Sequence, residues 1–317
     1  LFLPRCPCTM VHLQMNGFIA DNLFQYSAAR IIAQELGYAL SVSHSRGKGG
    51  VNAVELMELL AHCKDAPLAL PGEAHDAPVD HCAHESNPAF DNYFIDLDTV
   101  LADRSPRRIE MRGYYQSYDM LRPYKERIRS WFEMRPDTRG YDLSPQDIVV
   151  HIRWGDIVVF DMAMSLGFYT QLLPTLEYRH LYVCGCGINA EVKAALAPFS
   201  PRYVIGTPAE DFRFMLAFNQ IVQSNSGCAW WAGFLSQATA IYAPVMGPNT
   251  RTQHTKTTGP QLIIDDESRY HYIHDVPYLE RDYTLADVYS SRDQLRKKRI
   301  ASSILQVVKR SVSRLVP

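Results

Sequence analysis

No stretch of this chain runs to about 18 apolar residues, the least that a bilayer-crossing helix needs, so the sequence offers no spanning helix. An excess of one charge is missing too. The 32 Lys and Arg meet 34 Asp and Glu, a net charge of −2 with His neutral. That removes any global pull toward nucleic acid, and polyanion recognition has to be local. Cysteine is unpatterned: the seven, at 6, 8, 63, 82, 184, 186 and 228, include no C-x-x-C pair of the zinc kind. An odd total argues against a complete disulfide framework. A positive start followed by an apolar stretch is also lacking, and the first residue is Leu1. The compartment is therefore left open: Golgi lumen if a eukaryotic anchor precedes the chain, cytoplasmic or peripheral to an inner membrane if it is bacterial.

What is present is ordinary for a folded protein. At 317 residues, with 47% hydrophobic and 21% charged, the chain is long enough for two domains with cores of their own. Residues 10–15 read as a strand, Asn16-Gly17 as a loop, and Leu23 to Leu36 as a helix stopped by Gly37. Residues 63–90, rich in His, Asp, Ala and Pro, read as an irregular insertion. Its His75, His81, Cys82 and His84 lack the frame of a metal site, and a loop is the plainer reading. From 147 onward strands at 147–153, 180–185, 202–206 and 239–245 alternate with helical stretches at 168–178, 189–197, 209–220 and 228–238. Alternation of this kind predicts a doubly wound parallel α/β domain. A break near Pro136–Pro145 divides the chain into 10–144, 145–266 and an extension, 267–317. The tail from 291 carries eight Lys or Arg against one Asp along an apolar stripe. Such a helix suits a membrane surface or a place packed back on the first domain.

Three blocks carry chemistry. The apolar strand ending in His151-Ile-Arg-Trp-Gly-Asp156 delivers an arginine to the sheet edge where ligands of such folds bind. Arg153 can hold two phosphate oxygens and neutralise a leaving diphosphate; pairing with Asp156 is its structural alternative. His151 shares its face and could touch a phosphate or sugar, or simply orient Arg153. Ser224-Asn225-Ser226 turns into an apolar helix, so its hydroxyls and N–H groups suit an anion. Glu210-Asp211 opens the preceding helix, where carboxylates are ordinary caps. Asp211 is also the candidate acceptor for a guanine edge. The third block is Asn16-Gly-Phe-Ile-Ala-Asp21, in which Gly17 permits close approach of a ligand. Asp21 is either a helix cap or a base for an acceptor hydroxyl.

Together with Gly113-Tyr-Tyr-Gln-Ser117, these blocks resemble the α-1,2-fucosyltransferase family of GDP-fucose enzymes. The matching segments are Gly17–Tyr26, His151–Asp156 and Ser224–Trp231, in the family's order, and the resemblance spans residues 10–245. It implies a GT-B fold of two Rossmann-like domains facing a cleft, a GDP-sugar donor, a glycan acceptor, no nucleic-acid partner and no required cofactor. The family's diphosphate-holding arginine carries over to Arg153. No metal dependence is expected, since no Asp-x-Asp pair is read ahead of the donor site and Arg153 can neutralise the charge instead. Three residues depart from the pattern: Trp154 for a second arginine, Ala20 for a glycine and Asp21 for an asparagine. A different sugar nucleotide, or a silent glycan- or nucleotide-binding module of the same fold, are the competing readings.

Overall fold

The computed structural model describes residues 9–44, 68–69, 79–80, 95–132, 134–154, 157, 163–246 and 261–277. Two compact units form, and among the described residues the chain first passes from one to the other between Met134 and Arg135. Each unit is α/β and is built on an all-parallel sheet of its own.

The first sheet comprises β1 (Met10–Met15), β2 (Ala39–His44), β3 (Leu68–Ala69), β4 (Val79–Asp80) and β5 (Arg108–Met111), in the order β3-β2-β1-β5-β4. Strand β1 alternates: Val11, Leu13 and Met15 are fully buried, while the even positions are half-buried. The helix Ile19–Leu36 starts at Ile19 rather than at Leu23 and buries most of its length from Ile19 to Ala33. Gly37 ends it in the left-handed conformation, φ 71°. Strands β2 and β5 were not expected from the pattern. They share the buried apolar face of β1 through Leu40, Ile109 and Met111, but their other face is polar: His12 lies between Ser41 Oγ (3.2 Å) and Ser43 Oγ (3.0 Å), and Arg108 pairs with Glu110 at 2.5 Å. The chain returns to this unit at Gln261, which sits in a parallel bridge with Ser117. Leu262 and Ile264 anchor the return, both fully buried. Residues 261–264 thus belong to the first unit, not to the second domain expected over 145–266.

The second sheet comprises β6 (Ile148–Arg153), β7 (Leu181–Cys186), β8 (Arg202–Tyr203), β9 (Gln220–Val222), β10 (Ala240–Pro244) and β11 (Tyr270–Ile273). Its order, β8-β7-β6-β9-β10-β11, is that of a doubly wound dinucleotide-type sheet, as the alternation predicted. Strand β6 is buried on both faces from Ile148 to Ile152, which explains its continuous apolar run. Several boundaries differ from expectation, among them the helix expected at 168–178, which is Leu166–Leu172 followed by a 3-10 turn to Thr175. The helix predicted for 209–220 is Pro208–Met215, and Gln220 belongs to β9. The strand predicted for 202–206 is only Arg202–Tyr203. Apart from β3 and β4, the insertion at 63–90 with His75, His81, Cys82 and His84 lies outside the described residues, as does the tail 291–317.

Candidate functional site

In a doubly wound sheet the crevice opens at the carboxyl edge where the strand order reverses, because successive connections leave on opposite faces there. In the second unit that point lies between β6 and β9, which are paired in register from Ile148–Gln220 to Val150–Val222. Beyond Val150 and Val222 come His151–Arg153 and Ser224–Ser226. His151 Nδ1 and Ser224 Oγ, 73 residues apart in sequence, stand 2.7 Å from each other. Burial pushes the His151 pKa down to about 3, with Arg153 adding a smaller push in the same direction. The imidazole is therefore neutral, and Tyr169 fixes the strand beneath it by donating its hydroxyl to the His151 carbonyl at 3.1 Å. His151 is a buried bridge between the two blocks, not a group open to a substrate.

Arg153 ends β6 partly exposed. Its Nη1 donates to Cys186 Sγ at 3.7 Å, across the register pair Arg153–Cys186. On the other side of the switch point Ser226 is the N-cap of the helix Gly227–Leu235, and its hydroxyl makes no capping bond. Ser226 N–H donates to Ser224 O at 2.8 Å, and the buried Asn225 N–H reaches Met164 Sδ at 3.0 Å. A guanidinium at the end of β6 and a helix start beyond β9 thus both lie past the carboxyl ends of two paired strands, and both are groups that suit a diphosphate. Asp156 lies outside the described residues.

Trp154 is a core residue. It is 1% exposed, its indole N–H donates to Met164 O at 2.9 Å, and it packs with Phe168 and Val192 in the unit's apolar core. Gly187, at φ 76°, makes room for it: a Cβ there would lie 2.7 Å from Trp154 Cβ.

Asp211 is not an ordinary cap. The capping box of its helix is made by Thr207 and Glu210, with Thr207 N–H donating to Glu210 Oε2 at 2.7 Å. Glu210 also pairs with Arg139 at 2.8 Å. Asp211 is buried, and its pKa is pushed up to about 7 by desolvation. The Arg139 charge and the N–H groups of Gly185 and Gly206 pull it partly back. It is held at the carboxyl end of β7, by Gly185 within that strand and by Gly206 beyond β8.

The first unit repeats the logic at its own reversal, between β1 and β5. Gly17 takes φ 78° there, and a Cβ on it would collide with the Asp21 carboxylate. Asp21 is at the third helical position, behind Phe18 as N-cap. Its Oδ2 accepts Phe18 N–H at 2.8 Å, and its Oδ1 accepts Gln116 Nε2 at 2.6 Å. The buried Asn22 and Gln25 bind the Asn16 carbonyl at 2.7 and 3.1 Å and pin the loop from below. The sequence signals Gln116 only through its place in the Gly113–Ser117 block.

Among the described residues no group of three His, Cys, Asp or Glu side chains is placed to hold a metal. One Asp-x-Asp does precede Arg153, Asp96-Leu97-Asp98. Asp96 caps the helix Leu97–Ala102 by accepting from Thr99 N–H and Oγ1 at 3.2 and 3.0 Å.

No protein-family model and no curated protein matches the chain. Among solved structures, NodZ α-1,6-fucosyltransferase soaked with GDP-fucose aligns over 74% of this chain and 94% of its own, at 14% identity and TM-score 0.48. Escherichia coli heptosyltransferase WaaC with ADP aligns over 92% and 99%, at 11% and 0.47. An Arabidopsis thaliana FUT1 mutant with GDP aligns over 74% and 70%, at 10% and 0.46. Likeness this distant carries no weight for chemistry. The fold assignment rests on the strand orders themselves.

Proposed function

We propose that the protein is an inverting glycosyltransferase of the GT-B type, moving fucose from GDP-β-L-fucose to a glycan hydroxyl in α-1,2 linkage. The observation that carries the reading is the meeting of two of the four family-like blocks at one switch point, with His151 and Ser224 2.7 Å apart. In the proposed reaction the acceptor oxygen attacks the anomeric carbon as the bond from that carbon to the diphosphate oxygen breaks. The electron pair leaves with GDP. Arg153 and the helix start at Ser226 stabilise that charge, doing work that a metal would otherwise do. Asp211 offers a carboxyl acceptor for the N–H groups of the guanine edge. The acceptor proton passes to a base, for which Asp21 is the candidate on the first unit.

The test is purified protein incubated with a panel of GDP-, UDP- and dTDP-sugars and β-galactoside acceptors, with free nucleotide measured. GDP release dependent on GDP-fucose and acceptor, unaffected by chelator, is the expected result. Turnover with another sugar nucleotide alone would move the donor assignment. Tight GDP binding without turnover would favour the silent module, for which the single arginine at the end of β6 speaks.

A further inference from the structure

The residue at the N-cap of the helix Ile19–Leu36 is a poor choice for that position. N-caps favour Ser, Thr, Asp and Asn, whose side chains accept a first-turn N–H, and an apolar residue there forgoes that bond. Here it is Phe18, extended at φ −101° and ψ 178°, with no side-chain capping bond. The residue is 54% exposed, one of two large hydrophobic residues left so open among the described residues. The backbone beneath it is held firmly. Asp21 accepts the Phe18 N–H, Gly17 supplies the left-handed turn, and Gln116 crosses from the β5 side to the same carboxylate. A rule broken on a well-built loop, where ligands of this sheet type bind, points to use of the exposed ring.

The Asp21 carboxylate that accepts the Phe18 N–H also accepts from the Gln116 amide, at the reversal of the first sheet. Two buried atoms nearby, Asn22 Oδ1 and Ser117 Oγ, have no hydrogen-bond partner among the described residues. An exposed aromatic residue on a loop bonded to a carboxylate and, through it, to an amide matches a pyranose ring, which presents C–H groups on one face and hydroxyls at its rim.

We infer that Phe18 is the stacking platform for the sugar of the acceptor, with Asp21 and Gln116 on its hydroxyls. This rests on the glycosyltransferase reading above. The second exposed residue, Ile205 at 59%, belongs to the other unit and serves as a control.

The variants are Phe18→Ala, Phe18→Trp and Ile205→Ala, each checked for an unchanged Tm. Two measurements are made on each: the KM for lactose at saturating GDP-fucose, and saturation-transfer NMR of lactose with the protein and GDP. Phe18→Ala should raise the lactose KM about tenfold while kcat stays within about twofold, the scale of one lost aromatic contact. Phe18→Trp should restore it, and Ile205→Ala should leave it alone. In the NMR experiment, transfer to the sugar C–H protons should be present in the native protein and in Phe18→Trp, and lost in Phe18→Ala. An unchanged lactose KM in Phe18→Ala, an equal loss in Phe18→Trp, or no transfer to the native protein overturns the platform. If the native protein shows transfer that depends on Phe18 but releases no GDP, the platform stands as a sugar site and the transferase reading falls.

Discussion

Lowering the pH from 8 to 5 tests the buried state of His151 and, through it, the joining of the two blocks. In the unfolded chain this histidine takes up its proton near 6.5; in the folded protein it does so only near 3. Its folded pKa is depressed, so the stability it confers is complete above 6.5 and is lost as pH falls toward 3. At pH 5 the unfolded form gains about 2 kcal/mol from this one group, or about 4–8 °C in Tm for a unit of this size. Asp211 works in the opposite sense. Its pKa is raised to about 7, so its contribution is present in acid and fades as pH rises through 7. The native profile mixes the two. Comparison with His151→Gln removes the Asp211 contribution, because that carboxyl is present in both proteins, and Gln retains an amide that can reach Ser224 Oγ. Urea unfolding is followed by tryptophan fluorescence, since Trp154, Trp230 and Trp231 are all buried in the second unit. The difference in stability between native protein and variant should shrink by about 2 kcal/mol between pH 8 and pH 5. Parallel profiles would mean that His151 protonates within the fold, and the neutral buried bridge would be wrong.

Three further outcomes follow from the site. Arg153→Ala should lower kcat about 100-fold or more with little change in Tm, because a partly exposed charge donor is lost but no core contact. Unfolding of the variant with activity retained in its folded fraction would make the arginine structural. Trp154→Arg, which restores the residue of the resembled family, should cost about 3–5 kcal/mol in urea and raise no activity, because it puts a charge where an indole fills the core. A folded, more active Trp154→Arg protein would refute that placement. Asp21→Asn should lower stability by about 1–2 kcal/mol, since an amide cannot accept from both Phe18 N–H and Gln116 Nε2. Turnover that falls far more than this loss explains would support the base, and near-normal turnover would leave Asp21 as a cap.

The parts of the fold legible in the sequence are those where burial sets the pattern. Strand β6 is an unbroken apolar run because both its faces are covered, and β1 with its helix shows both periods. Strand β2 escaped because its alternation is filled by Ser41 and Ser43, which bond His12 and so read as surface. Helix Pro208–Met215 and strand β9 merged into one stretch because Phe212 to Val222 is apolar almost throughout, and periodicity cannot divide such a run. In the site, Arg153 and Ser224 could be named because their residue types suit an anion. Trp154 was judged by the charge it lacks, whereas packing against Gly187 decides its place. Asp211 looked like a helix cap, and only the approach of Gly185 and Gly206 distinguishes it from Glu210.

The return of the chain to the first unit has a practical consequence for taking the protein apart. A cut at Met134, where the contacts first divide, yields a piece without Gln261, Leu262 and Ile264. It loses two buried side chains and both backbone bonds that brace Gln116 and Tyr118, Gln261 N–H to Gln116 O at 2.9 Å and Tyr118 N–H to Gln261 O at 2.7 Å. Gln116 in turn holds Asp21 under the Phe18 loop. The two halves are therefore not interchangeable cassettes. A chimera that exchanges the second half at residue 134 carries with it a piece of the first unit's core and the prop behind its loop. Grafts intended to swap one specificity while keeping the other have to follow the chain to Ile264.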